Sequence, residues 1–118
     1  MRTLEIRKKL GFADYLLNRS YATPYPKGAV NHIMEAANIL IVDITGLDEN
    51  RLGPQVIHNK LNKIENKEAK KFSEFYLELW KMTKDKTVTK DKAKSALKKV
   101  RKFVEWAENE SLKEELVE

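Results

Sequence analysis

Arg51 and His58 are separated by six residues, Leu52-Gly53-Pro54-Gln55-Val56-Ile57. Together they offer one group that moves protons and one that holds anions. A histidine takes or gives a proton near neutral pH. An arginine grips phosphate oxygens through two hydrogen bonds and offsets the charge that develops on them. The chain has five Arg and two His, so one such spacing arises readily by chance. His32 and Glu35 lie three apart, on one face of a helix. A di-metal bundle needs Glu-x-x-His on two helices with further Glu residues, and this chain has the reverse order once. The plainer reading of His32 is a hydrogen-bonded side chain at the edge of a core, with no metal.

A third constellation is electrostatic. Lys84 to Lys102 holds nine positive and two negative charges, and Lys90, Lys94, Lys98, Arg101 and Lys102 fall on neighbouring helical turns. Lys94, Lys98, Arg101 and Lys102 are candidates for phosphate contacts of salt-sensitive affinity. Aromatic residues are not interleaved on that face, so base stacking is unsupported. The alternative is a solvated lysine-rich surface. Glu105 to Glu118 is acidic; it opposes a polyanion at the far end, or guides self-association of basic end against acidic end. Arg19, Tyr21 and Tyr25 gather around a proline connection, where tyrosines serve as binding anchors or plug the end of a bundle.

No Gly-rich phosphate loop, nucleophile elbow, zinc spacing or acidic calcium loop occurs, so no cofactor is expected. There is no cysteine, which excludes disulfide and thiolate chemistry and fits a reducing cytoplasm. The net charge is +5, too small by itself to imply nucleic-acid binding. Lys/Glu-rich, Cys-free composition is common in hyperthermophile proteins. No apolar run approaches the roughly 18 residues that cross a bilayer; Ile39-Leu40-Ile41-Val42 stops at Asp43.

The elements that must position these residues are helical throughout. From about Thr3 to Arg19, Leu10, Ala13, Leu16 and Leu17 recur at helical spacing. Gly11 falls inside this pattern, at a cost of about 1 kcal/mol relative to Ala. Pro24 and Pro26 predict an extended connection over Ser20–Lys27. From Gly28 to Thr45, Val30, Ile33, Met34, Ala37, Ile41 and Ile44 make one face, which Ala36, Ile39, Leu40 and Val42 widen. Such a helix belongs at the centre, and Gly46 suits its C-cap. A third helix starts at Pro54 and runs to about Met82, through Val56, Ile57, Leu61 and Ile64 and then Phe72, Phe75, Tyr76, Leu79 and Trp80. Glu65-Asn66-Lys67-Glu68 is the place for a kink or break, and Asn66 suits a new cap. The fourth helix has Thr89 as N-cap and Asp91 in its first turn. Its seam is Ala93, Leu97, Val100, Val104 and Ala107. Residues 110–118 either continue it or fray. The expectation is one all-α domain over 1–118, an antiparallel up-and-down four-helix bundle with a kink or break in its third helix.

The order of these features resembles the HEPN superfamily of small helical bundles. The likeness rests on the Leu-rich first helix with its Pro/Tyr connection, Tyr21-Ala22-Thr23-Pro24-Tyr25-Pro26. It rests also on the apolar helix Ala29 to Leu40 and the closing helix Thr89 to Val104. Many HEPN proteins are RNases carrying Arg, four to six residues, then His, which Arg51 and His58 match. Leu52, however, stands where the family has a polar residue. The resemblance also puts the motif just before the last helix, where this chain has Trp80 to Val88 with no Arg and no His. It further implies a homodimer.

The leading expectation is therefore a cytoplasmic, homodimeric, non-catalytic HEPN-like interaction module that binds a protein, such as a nucleotidyltransferase, or RNA. The alternatives are a metal-independent RNase using Arg51 and His58, and a nucleotide- or RNA-binding domain using the lysines of the last helix.

Overall fold

A computed structural model describes residues 2–19 and 23–117, with backbone alone at 51 and 111–117. All its α- and 3₁₀-structure falls into α1 (Thr3–Asn18), α2 (Pro26–Thr45), a 3₁₀ turn (Glu49–Arg51), α3 (Pro54–Asn62), α4 (Lys67–Lys84) and α5 (Lys90–Val117). There is no strand among the described residues. None of these helices is long and apolar enough to cross a membrane.

Local chemistry sets most boundaries. α1 buries Ile6, Leu10, Ala13 and Leu17, one side chain every three or four residues. Pro26 was expected in the extended connection; instead it opens α2, because in the first turn a missing N–H costs nothing. Gly28 lets the chain enter closely there. A Cβ on it would lie 2.5 Å from the Tyr25 ring and 3.2 Å from Leu16. Gly46 closes α2 at φ 72°, a left-handed conformation that suits glycine, with its N–H on the Val42 carbonyl at 2.8 Å. Thr89 caps α5 by accepting from the Lys92 N–H at 3.2 Å. The acidic tail continues α5 to Val117; the side chains of Leu112 and Leu116 lie outside the described residues.

The expected long third helix is two helices, so the described residues form five α-helices and not four. The end of α3 tightens where Lys63 and Ile64 reach back to the Lys60 and Leu61 carbonyls. Asn66 is then extended, and its Oδ1 accepts from the N–H groups of Glu68 (2.8 Å) and Ala69 (3.4 Å). The break has a packing reason. Folding α3 back on α4 buries Ile57 and Leu61 in the same core as Phe72 and Tyr76.

Pairs of contacts give the helix directions. Arg2 binds Asp43 through its backbone N–H (2.8 Å) and Nε (3.1 Å), while Tyr25 donates to the Leu16 carbonyl, so α1 and α2 are antiparallel. Lys27 Nζ reaches the Thr83 carbonyl and Tyr76 Oη donates to Asn38 Oδ1 at 2.8 Å, so α2 and α4 are antiparallel. The Lys27 charge sits at the negative end of α4. Phe72 stacks on Phe103 at 4.5 Å and Lys99 lies over Phe75 at 5.1 Å, so α5 runs back along α4. Arg7 meets Glu108 at 2.9 Å and Asp14 meets Arg101 at 3.5 Å, which makes α5 antiparallel to α1 as well. α2 touches α1, α3, α4 and α5. The seam read for α5, Ala93, Leu97, Val100, Val104 and Ala107, is buried in full.

Two outcomes are expected. Asn66→Ala removes the α4 cap and lowers stability by about 1 kcal/mol in urea unfolding. Burial raises the Tyr76 phenol from 10.0 to about 12. The unfolded chain therefore loses this proton first, and the contribution of Tyr76, complete below pH 10, is lost as pH rises through about 12. Urea midpoints of Tyr76→Phe will fall less steeply than wild type across that window.

Candidate functional site

His58 sits in a joint between two helices. α3 carries it and α4 carries Ser73, which is fully buried. The imidazole Nδ1 lies 2.7 Å from Ser73 Oγ and 3.2 Å from the Ser73 carbonyl, and Ser73 Oγ lies 3.1 Å from the His58 carbonyl. With a hydrogen on Nδ1 the ring donates to the Ser73 carbonyl and the serine hydroxyl donates to the His58 carbonyl; without one, the hydroxyl donates to Nδ1. The ring is engaged through Nδ1, and with the serine–backbone bond these contacts join α3 to α4. Ser73 is a poor nucleophile in this setting, because no substrate reaches a side chain with no exposed surface. Arg51 closes the 3₁₀ turn; its side chain lies outside the described residues, so the Arg51–His58 pairing has no measured geometry.

His32 faces the seam of α1 and α2. Its ring stacks on Phe12 with centroids 5.7 Å apart. Its Nδ1 is buried without a hydrogen bond, 3.7 Å from Glu35 Oε2. That carboxylate is held by Lys9 Nζ at 2.7 Å, a bond that in turn raises the Lys9 pKa. No group of three or more His, Cys, Asp or Glu side chains converges among the described residues. Arg19 bonds the Thr23 carbonyl through Nε (2.9 Å) and Nη2 (2.6 Å), and Tyr25 is half exposed. Tyr21, the third member of that cluster, lies outside the described residues.

Two surfaces stand out instead. The first was not read from the sequence. Leu4, Phe12 and Tyr15 are 72, 57 and 48% exposed, three of the most exposed large apolar side chains described. With Lys8 and Gly11 they occupy positions 4, 8, 11, 12 and 15 along α1, one helical face. That places them opposite the buried stripe of Ile6, Leu10, Ala13 and Leu17. A Cβ at Gly11 would meet nothing within 4 Å. α1 is thus apolar on two faces, with an open notch in the outer one. The signal was present in the sequence as a second period-matched stripe with a glycine at its middle.

The second surface gathers residues the sequence did single out. Lys94, Lys98, Arg101 and Lys102 line one groove between α5 and the C-terminal half of α1, with Asp14, Asn18, Leu97 and Glu105. All four cations are exposed. Arg101 contacts Asp14 at 3.5 Å. The three lysines have no ion-pair partner among the described residues.

Compared with models of known protein families, with curated proteins and with solved structures, the chain matches none. Its function is therefore argued from these side chains alone.

The joint predicts energetic coupling. His58→Ala and Ser73→Ala should each lower stability by about 1–2 kcal/mol. In a double-mutant cycle the pair should cost less than the sum, by about 1 kcal/mol. Simple additivity would dissolve the joint.

Proposed function

We propose that this chain is a non-catalytic helical interaction module, an up-and-down bundle of α1, α2, α4 and α5 in the HEPN manner, that pairs with a second copy of itself through the outer face of α1. The observation that carries this reading is the notch at Gly11 beside Phe12. A mid-helix glycine costs about 1 kcal/mol relative to Ala, and nothing inside the monomer requires it, since its missing Cβ faces open space. A second helix crossing at that point gives it a use, because glycine lets backbones approach closely.

The face is self-complementary, as an isologous interface must be. Consider two copies of α1 laid antiparallel about a two-fold axis between residues 11 and 12. Each Phe12 then enters the notch at the other's Gly11. Each Lys8 lies beside the other's Tyr15, where an ammonium over an aromatic face is favourable. The Phe12 ring already stacks on His32, so the knob is held in place before pairing, which reduces the entropy cost of association. The engagement of His58 with Ser73 supports a structural role for that histidine over a catalytic one.

Gly11→Ala separates this reading from a merely exposed patch, because two effects have opposite signs. The monomer gains about 1 kcal/mol of stability, while the filled notch weakens self-association in sedimentation equilibrium. Phe12→Glu should give a monomer, and Val56→Glu, on exposed apolar surface of α3, should leave the dimer mass unchanged. A monomeric wild type at high concentration contradicts the proposal.

A further inference from the structure

The positive charge of this chain is concentrated. Residues 84–102 carry nine cations against two acids, more than the whole net excess of five. The remainder is slightly acidic. Within that segment Lys94, Lys98, Arg101 and Lys102 sit at i, i+4, i+7 and i+8 and share the groove between α5 and α1. The strip they form is about 12 Å long at 1.5 Å per residue. Lys90 extends it toward the N-terminus of α5, where the helix dipole also favours anions, with Asp91 beside it. Glu105 closes the groove at its other end, and Glu108 beyond it is held by Arg7.

We infer that this groove binds the phosphate backbone of a polynucleotide, with contacts to charge and none to bases. The composition of the face selects that ligand. Lysine is depleted from protein–protein interfaces, which are anchored by aromatic and apolar side chains. Among the described side chains the exposed large apolar residues are Leu4, Phe12, Tyr15, Tyr25, Val56 and Trp80, and none of these is on α5. The strip thus lacks a hot spot for a folded partner and lacks the apolar anchors that seat a helix in a lipid interface. It equally lacks a platform for stacked bases. Three unpaired ammonium groups and one guanidinium along a single strip offer what successive phosphates require. Asp14 is the one carboxylate inside the groove that holds a cation, and its 3.5 Å contact to Arg101 is long enough for a phosphate to compete.

This inference stands without the pairing of α1. If the pairing holds, a two-fold between antiparallel helices keeps the neighbours of each on the same side. The two grooves then fall on one side of the dimer and lengthen the strip.

Fluorescence anisotropy with a labelled single-stranded RNA tests it. Four phosphate contacts predict a slope of log Kd on log salt of about 3 and a loss of roughly fifty-fold between about 50 and 200 mM salt. Lys94→Glu with Lys98→Glu should weaken binding at low salt by at least about tenfold and roughly halve the slope. Lys60→Glu with Lys63→Glu, exposed positions on α3 and at its C-cap, changes net charge equally and should bind within about twofold of wild type. Far-UV circular dichroism confirms that each variant is folded. Equal losses in both double variants, or a slope near zero, overturn the inference. So does groove-dependent uptake by phosphatidylserine vesicles in the absence of RNA binding. Phe12→Glu distinguishes the two readings, since a monomer that still binds RNA through the lysines retains this inference while the α1 pairing is judged by mass alone.

Discussion

Helix α2 carries buried side chains around much of its girth: Val30, Ile33, Met34, Ala36, Ala37, Leu40 and Ile41, with Gly28 and Ala29 at its start. A single neighbouring helix hides only one stripe, so this one has to be enclosed. α1, α4 and α5 close around it. The small residues Gly28, Ala29, Ala36 and Ala37 let them come near. Each buried Leu or Ile contributes roughly 1.5–3 kcal/mol relative to exposure, and no polar contact in the molecule approaches that sum. Tyr76 to Asn38, Lys27 to the end of α4, and Arg2 to Asp43 fix the register of packing that hydrophobic burial has already driven.

Enclosure of α2 makes walls of the other helices, and a wall has an outer face. On α1 that face is apolar and notched; on α5 it is cationic and solvated. The same arrangement draws His58 and Ser73 inward, where their hydrogen bonds join α3 to α4. The core stabilises the fold, and the outer faces of its walls offer shape on one side and charge on the other. The two faces share α1: its outer stripe forms the first, and Asp14 and Asn18 form one bank of the second.

Much of this was legible in the residues. The stripe of α5 and the broad apolar girth of α2 specify their buried positions directly, because periodicity reads burial. Gly46 and Thr89 mark helix ends through local geometry and hydrogen bonding that need no tertiary context. Pro26 was misread as excluding helix, since proline breaks an interior turn yet suits a first one. The continuity of the third helix was not decidable locally. Asn66 can sit within a helix or cap one, and burial of Ile57 and Leu61 against α4 makes the choice. Of the site residues, the lysines of α5 were visible as a charge run, but their confluence with Asp14 and Asn18 required the packing of α5 on α1. The outer stripe of α1 is interrupted by Lys8 and Gly11, so hydropathy alone favours the inner one. The bonding of His58 to Ser73, fifteen residues away, depends on the fold-back of α3 and has no sequence signature.

The account turns on whether the outer face of α1 meets its own copy. The chain lacks cysteine, so Lys8→Cys carries a nitroxide at one defined place on each copy. Double electron–electron resonance on this singly labelled protein predicts an intermolecular distance shorter than the 25 Å width of one molecule, and a longer one from the same label at position 60 on α3. No intermolecular distance from position 8, or a shorter one from position 60, would contradict it.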